Sequence, residues 1–339
     1  MSTTEEQATM FANRLAKRAQ HLRKWAKRQN LTAYRIYDRD IPEIPLCVDY
    51  YGFVDDDGNV TDRYACMAMY ERPYEKSESE EDAWLAAMHA QAARVLDIAP
   101  DHVILKTRKR QKGTDQYEKS RAREKISGVV REGSLLFGVN LSDYLDTGLF
   151  FDHRPLRKKL VETAQDKRVL NLFGYTGALS VAAAKGGASF VQTVDLSNTY
   201  LDWAGLNLEL NGCEDRDKYP RTRFDVVEFL AIEARKRRSG TKAGFDIILL
   251  DPPTFSNSKK TEDVLDTNRQ WPELVDGCLK LLAPGGVLYF STNSRRLRFD
   301  ESLVAREIDG RTVQIRDITD ATIPEDCGHK PHRCWMITA

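Results

Sequence analysis

The sequence predicts an α/β fold, with a mostly parallel sheet after about residue 150 and a small α+β unit before it. Three observations carry this expectation. From Arg168 onward, short apolar runs alternate with helical segments, as in a parallel sheet covered on both faces. The earlier part instead holds two amphipathic helices around extended segments divided by turn residues. The chain has 339 residues and is 41% hydrophobic, enough for about two domains and a sizeable core.

The first helix is expected over 10–28, where Phe11, Leu15, Leu22, Trp25 and Ala26 recur at helical spacing and Trp25 reads as core. Extended segments follow at 33–38, 46–54 and 64–70, with a turn at Asp57-Gly58. A second helix spans 81–97, with Trp84, Ala87, Met88, Ala92 and Leu96 inward. Val103–Lys106 is a strand leading to a basic loop, and two more strands fall near 126–130 and 134–139. The second half reads as helix 154–165, strand 168–172, helix 178–186 and strand 190–194 ending in Asp195. Helix 199–211, a strand end at 223–226, helix 227–238 and strand 245–250 come next. Helix 268–282 stops near Pro284-Gly285-Gly286, strand 287–291 follows, and segments 312–317 and 334–338 close the sheet as a hairpin. The expected division is a basic N-terminal helix at 1–35, a small α+β domain at 36–140 and a larger α/β domain at 141–339.

The charges sum to zero, 51 basic against 51 acidic residues, which argues against a protein that coats nucleic acid generally. They are unevenly spread. Residues 11–30 hold seven Lys/Arg and no acid, and residues 106–125 hold nine against three acids. The six cysteines are scattered without a C-x-x-C pair, so reduced thiols are the expectation. With no apolar run of roughly 20 residues and no signal-peptide pattern, the sequence predicts a cytoplasmic chain without a membrane span.

In open α/β sheets the ligand lies beyond the carboxyl ends of the strands. Polar residues collect at those ends here: Gly174 and Gly177, then Asp195, then Asp225, then Asp251-Pro252-Pro253-Thr254-Phe255-Ser256-Asn257. The glycines let a ligand approach backbone amides. Asp195 lies 18 residues after Gly177, where an acid can accept from both hydroxyls of a ribose. Asp225 can accept from an exocyclic adenine amine. The loop reads G-Y-T-G, not the G-x-G-x-x-G of a dinucleotide site, and the ordered set resembles that of S-adenosylmethionine-dependent methyltransferases.

The stretches LDTGLFFDHR through VLNLFGYTGALS, TVDLSNTYLDWAGLNLELNG and DPPTFSNSK resemble a family of bacterial 23S rRNA methyltransferases. The likeness is to the guanine-N7 enzyme that forms the C-terminal half of a fused bifunctional protein, whose other half makes N2-methylguanine. It extends to the N-terminal FANRLAKRAQHLRKWAKRQN, the LKTRKRQKG loop and the terminal HRCWMIT. No stretch matches the N2 half or the N-terminal PUA domain of the related 5-methylcytosine enzymes. The resemblance implies a Rossmann-like class I methyltransferase domain with a mostly parallel seven-stranded sheet, preceded by a small α+β domain. It implies S-adenosylmethionine as cofactor, S-adenosylhomocysteine as product, and 23S rRNA or a large-subunit precursor as partner. Functional association with a separate guanine-N2 methyltransferase is a partnership it leaves open.

Carried over residue by residue, the resemblance puts Thr147, Gly148, Phe150, Asp152 and Arg154 around the methionine end of the cofactor. A guanidinium fork suits a carboxylate, so Arg154 is a candidate for the methionine carboxylate. Asn171, Phe173, Tyr175, Thr176 and Gly177 match the cofactor loop, Asp195 and Leu196 the ribose contact, and Asp225 the adenine contact. Asp251, Pro252, Pro253 and Phe255 match the catalytic loop, with Phe255 as a ring to stack on guanine.

Methyl transfer from a sulfonium is an in-line displacement, so alignment is the main requirement. Guanine N7 already presents a lone pair and needs no covalent intermediate. Cytosine C5 needs a thiolate at C6, and the fifth strand here ends Phe290-Ser291-Thr292-Asn293-Ser294, without the cysteine of the cytosine enzymes. Cys278 reads as core. Guanine N2 remains an alternative, 5-methylcytosine a weaker one, and a non-catalytic RNA-binding ribosome assembly factor a third. N7 faces the deep major groove of A-form RNA, so the base must be unpaired or flipped. Arg14, Lys17, Arg18, Arg23, Lys24, Lys27 and Arg28 on the first helix, with Lys106, Arg108, Lys109, Arg110 and Lys112 on the loop, are candidates to track phosphates. Cys327, His329, His332 and Cys334 are potential zinc ligands, but their spacing is not that of a common finger and no metal is expected. His332, Arg333 and Lys330 are instead candidate RNA or substrate contacts.

Overall fold

A computed structural model describes residues 3–70, 77–107, 125–238, 240, 243–256 and 265–339. The chain divides into two units. One takes in residues up to Phe151 together with Glu325–His329; the other runs Asp152–Pro324 and Lys330–Ala339.

In the first unit, helix α1 (Thr4–Arg28) begins six residues before the apolar periodicity does. Its start is set by a capping box: the Thr3 hydroxyl accepts from the Glu6 amide, and the Glu6 carboxylate accepts from the Thr3 amide. An apolar period does not register a cap made of polar residues. Strands β1 (Ala33–Asp38), β2 (Leu46–Val54) and β3 (Val60–Met69) are antiparallel, and β4 (Val103–Thr107) pairs parallel to β3 after a crossover through helix α2 (Glu78–Leu96). Strands β5 (Ser127–Glu132) and β6 (Leu135–Asn140) form a hairpin. The basic helix expected to stand apart over 1–35 instead shares one core with this sheet: Phe11, Leu15, Leu22 and Trp25 of α1 pack with Ile36, Tyr37, Trp84 and Met88. Trp25 is core, as its spacing indicated. The Trp84 indole donates to the Gln7 carboxamide at 2.6 Å, satisfying a buried donor between the two helices.

The second unit opens with helix α3 (Arg154–Thr163) and strand β7 (Arg168–Leu172). Helix α4 (Ala178–Lys185), strand β8 (Phe190–Asp195), helix α5 (Asn198–Leu210) and strand β9 (Arg221–Arg223) follow. Then come helix α6 (Val226–Arg238), strand β10 (Phe245–Leu250), the short pair β11 (Phe255–Ser256) and β12 (Leu265–Asp266), and helix α7 (Thr267–Leu279). Strand β13 (Leu282–Thr292), the short pair β14 (Glu307–Ile308) and β15 (Arg311–Thr312), strand β16 (Gln314–Asp317), helix α8 (Thr319–Thr322) and strand β17 (Arg333–Thr338) complete the chain. The seven-stranded sheet runs β16-β17-β13-β10-β7-β8-β9, with only β17 antiparallel to its neighbours. Apolar strands explain why: Ile248 and Leu250 of β10 and Leu288 and Phe290 of β13 are fully buried.

Further expectations change in this unit. The third strand ends at Arg223, so Asp225 lies beyond it. Strands β16 and β17 do pair, but no tight hairpin joins them; α8 and the Glu325–His329 segment lie between.

Candidate active site

The chain leaves β7 for β8 and β9 on one side and returns to β10 on the other, so the topological switch point lies between β7 and β10. The β7–α4 loop crosses this point in an unusual conformation. Phe173, Tyr175 and Gly177 all have positive φ, at 54°, 49° and 73°. Two non-glycine residues in this region are strain held in place by their surroundings. A Cβ on Gly174 would lie 2.4 Å from Thr193 Cγ2, and one on Gly177 would lie 2.7 Å from the Ala204 Cβ. Only glycine fits either place.

Asp195, at the end of β8, holds this loop. Its Oδ2 accepts from the Tyr175 amide and its Oδ1 from the Ser197 amide, each at 2.9 Å. Burial pushes its carboxyl above the usual range, and the Ser197 and Tyr175 amides offset part of that. A carboxylate has about four acceptor positions, so capacity remains for ribose hydroxyls. Leu196 follows, its carbonyl accepting from Arg223 at 3.2 Å. Asn171 does not face the loop's outer side. It is buried and donates to the Ser180 hydroxyl at 2.9 Å, which meets Thr193 Oγ1 at 2.7 Å. Its place is as a support of the loop after β7, through Ser180 and Thr193. Thr176 is likewise buried, its carbonyl accepting from Asn207 at 2.8 Å. Asp225 caps α6, with Oδ1 accepting from the Val227 and Glu228 amides at 2.9 and 3.1 Å.

Asp251, at the end of β10, is fixed on both sides. Its Oδ1 accepts from the Ser291 hydroxyl at 2.6 Å, and its Oδ2 lies 3.2 Å from His153 Nε2. Burial alone would raise its carboxyl; the His153 charge and these two hydrogen bonds outweigh burial and hold it below the usual range. Its side chain is 33% exposed, against 8% for His153, so it is the member of the pair open to a substrate. Pro253 is fixed through its carbonyl, which accepts from Thr267 Oγ1 at 2.6 Å, and Thr254 donates to Asn293 Oδ1 at 2.8 Å. Pro252 is buried. The Phe255 backbone pairs with Asp266, while the stacking expected of its ring falls on a side chain outside the described residues.

Asp152 and His332 complete the cluster. The Asp152 carboxylate meets His332 Nδ1 at 2.9 Å, His332 Nε2 meets Thr322 Oγ1 at 3.0 Å, and the His332 ring stacks on His153 with centroids 4.4 Å apart and planes 6° apart. Burial would raise the Asp152 carboxyl, but the His153 and His332 interactions hold it far below the usual range. His332 is buried, so its expected part as an RNA contact is withdrawn. Lys330 pairs with Asp320, and Arg333 donates to the Ser294 and Leu297 carbonyls. Asp152, His153 and His332 lie close enough to suggest a metal set. Near-parallel stacked rings, however, confine their in-plane lone pairs to two separate parallel planes, which do not converge on one ion. Cys327 and His329 belong to the first unit, and Cys334 is buried in β17 opposite Ser291. Burial pushes the Cys334 thiol far up, which removes it as a nucleophile beside Asp251. Cys278 is core of α7.

Arg154 is buried in the first turn of α3. Thr147, Gly148 and Phe150 lie in the first unit, where Thr147 Oγ1 meets the Tyr51 hydroxyl at 2.9 Å and Gly148 has φ 94°. On α1, Lys17, Arg23, Lys24, Lys27 and Arg28 are exposed, while Arg14 and Arg18 pair with Asp40. The Lys106 ammonium donates to the carbonyls of Tyr144 and Leu145, so it is engaged within its own unit and not extended toward solvent. Arg108, Lys109, Arg110 and Lys112 lie outside the described residues. His153, Ser291 and Thr267 were not singled out from sequence.

A glycine loop at a switch point, an acid at the next strand end and an acid with two prolines at the fourth are the arrangement expected of S-adenosylmethionine-dependent methyltransferases. A profile of that family matches residues 83–311. Ribosomal RNA large subunit methyltransferase K of Neisseria meningitidis is 47% identical over 330 residues, covering 97% of this chain and 87% of that protein. Ribosomal RNA large subunit methyltransferase K/L of Pseudomonas fluorescens is 44% identical over 338 residues, covering 98% of this chain but 41% of its own length. This chain therefore spans about two fifths of that longer relative. The structure of a proposed S-adenosylmethionine-dependent methyltransferase from Streptococcus mutans superposes with a TM-score of 0.70 at 22% identity, over 98% of this chain and 81% of that one, a likeness of fold. The chain belongs to the S-adenosylmethionine-dependent methyltransferase family, among the relatives of ribosomal RNA large subunit methyltransferase K. Its cofactor is S-adenosylmethionine, and the donor set fits it: a glycine loop without room for Cβ atoms and an acid with acceptor capacity at the β8 end.

Proposed function

We propose that this chain methylates guanine N7 in 23S rRNA by direct in-line transfer, without a covalent enzyme intermediate. The observation that carries the reading is the Asp251 corner. It offers an ionised, partly exposed carboxylate, a buried Pro252 and a Pro253 fixed through its carbonyl, and the thiol beside it, Cys334, is held protonated by burial. An acceptor that needs no prior addition suits such a corner. S-adenosylmethionine supplies a methyl group on a sulfonium. The chain's residues bind and orient: Asp195 for the ribose, Asp225 for the adenine, Arg154 for the methionine carboxylate, and Asp251 with Pro252, Pro253 and Phe255 for the base. The names of the Neisseria and Pseudomonas relatives support ribosomal RNA of the large subunit as substrate.

The exposed cations of α1, with Arg108, Lys109, Arg110 and Lys112, are proposed to meet phosphates, and the enzyme to work in the cytoplasm on 23S rRNA or a large-subunit precursor. A separate guanine-N2 methyltransferase is a proposed functional associate. Labelled methyl transfer to total unmodified bacterial rRNA tests the reading. Label confined to 23S rRNA is expected; label in 16S rRNA, or none in any form of 23S rRNA including precursor particles, would overturn it.

A further inference from the structure

We propose that His153, stacked on His332 and backed by Asp152, is the positioning residue that holds the Asp251 carboxylate in one orientation at the end of β10. This rests on the reading of Asp251 as a substrate-contacting residue.

Four side chains from three separate places in the sequence build the arrangement. Asp152 and His153 precede α3, Asp251 follows β10, and His332 precedes β17. His332 is tied at both nitrogens, to Asp152 and to Thr322, so its ring is a fixed platform. His153 lies flat on it at 4.4 Å and reaches Asp251 through Nε2. The other nitrogen of His153, Nδ1, is buried and has no hydrogen-bond partner among the described residues. An unsatisfied buried nitrogen is unfavourable, so packing alone does not account for the imidazole. The stack sets the plane of the ring, and the bond to Asp251 sets its in-plane direction. Ser291 fixes the opposite oxygen.

The charge pattern agrees. Burial would lower the His153 pKa, but Asp251 and Asp152 outweigh it and raise it above the ordinary imidazole value, with Arg157 opposing. The groups around the ring are Asp152 from its own turn, Arg157 from α3, Asp251 just after β10 and His332 just before β17; Cys334 of β17 interacts with Asp251. Cys334 is protonated throughout the working range. A second charge on the stacked His332 ring would repel the first. As pH rises through the raised His153 value, the charge opposite Asp251 is lost and its orientation loosens.

The test uses the full chain as His153→Gln and Asp251→Asn, read by kcat, KM and pH profile, and by NMR titration of the histidine rings without cofactor. His153→Gln keeps a donor but no charge. The expected result is a loss in kcat of about 10- to 100-fold with KM for cofactor nearly unchanged, and absence of the alkaline decline expected of the unaltered chain. In the cofactor-free titration, Asp251→Asn should lower the His153 value. Full kcat and an unaltered pH profile in His153→Gln, with Asp251→Asn inactive, would overturn the proposal and keep the site. Full activity in Asp251→Asn would overturn the site reading itself. If His153→Gln does not fold, the titration decides: an unchanged His153 value in Asp251→Asn contradicts the proposal.

Discussion

The Oδ2 atom of Asp195 accepts a hydrogen bond from the backbone amide of Tyr175 at 2.9 Å. The bond ties the end of β8 to the strained loop after β7, so the carboxylate shapes the loop proposed to hold the cofactor. Asp195→Ala should weaken S-adenosylmethionine binding by at least about tenfold, since hydrogen bonds to a charged group contribute roughly 1.5–3 kcal/mol. Asp195→Asn should fall between. Calorimetric titration with the cofactor checks this, and unaltered affinity in the alanine variant would refute it.

Gly174→Ala and Gly177→Ala should each destabilise the second unit. The new Cβ atoms would lie 2.4 Å from Thr193 Cγ2 and 2.7 Å from the Ala204 Cβ, and Gly177 also has φ 73°. Overpacking costs about 1–3 kcal/mol. The melting temperature of either variant should drop, and cofactor affinity with it.

The Asn171–Ser180–Thr193 chain is buried beneath the same loop. Ser180→Ala leaves the Asn171 carboxamide without its acceptor, at a cost of about 1–3 kcal/mol. Asn171→Leu combined with Ser180→Ala should cost less than the two single changes added, because they share one interaction. Chemical denaturation of the three variants measures the coupling.

Stability should decline on both sides of neutral pH. Asp152 and Asp251 have folded values below the unfolded carboxylate range, so their contribution is present above about pH 4 and lost as pH falls further. His153 has the opposite sign. Its folded value is raised, so its contribution is complete below the unfolded imidazole value of about 6.5 and is lost as pH rises through the folded one. Asp152→Asn should flatten the acid limb of a melting-temperature profile, and a limb as steep as before would count against the pairing.

Exposed cations on α1 should give RNA binding a steep salt dependence, about 0.7 log unit per phosphate contact for each tenfold change in salt. Lys24→Glu with Lys27→Glu and Arg28→Glu should weaken binding and reduce the slope. An unchanged slope would remove α1 from the interface.

Much of the fold is legible where one local signal decides. The apolar runs of β7 and β10 lie at 168–172 and 245–250, the limits read from sequence. The glycine loop and Asp195 also carry their own spacing. What escaped depends on polar or distant pairing. The α1 start is a Thr3–Glu6 cap outside the apolar stripe. Asp225 reads equally well as a ligand residue or as the helix cap it forms. Lys106 reads as a free cation until its two carbonyl partners are seen. His153 was invisible because its partner Asp251 and its stacking neighbour His332 come from distant parts of the sequence, and a contact such as Asp152 to His332 spans 180 residues.

The most direct test of the central claim is the identity of the methylated nucleoside. The chain is incubated with labelled S-adenosylmethionine and 23S rRNA lacking its own modification, and the RNA is digested and analysed by mass spectrometry. The expected product is 7-methylguanosine, lost in Asp251→Asn. N2-methylguanosine or 5-methylcytidine would contradict it.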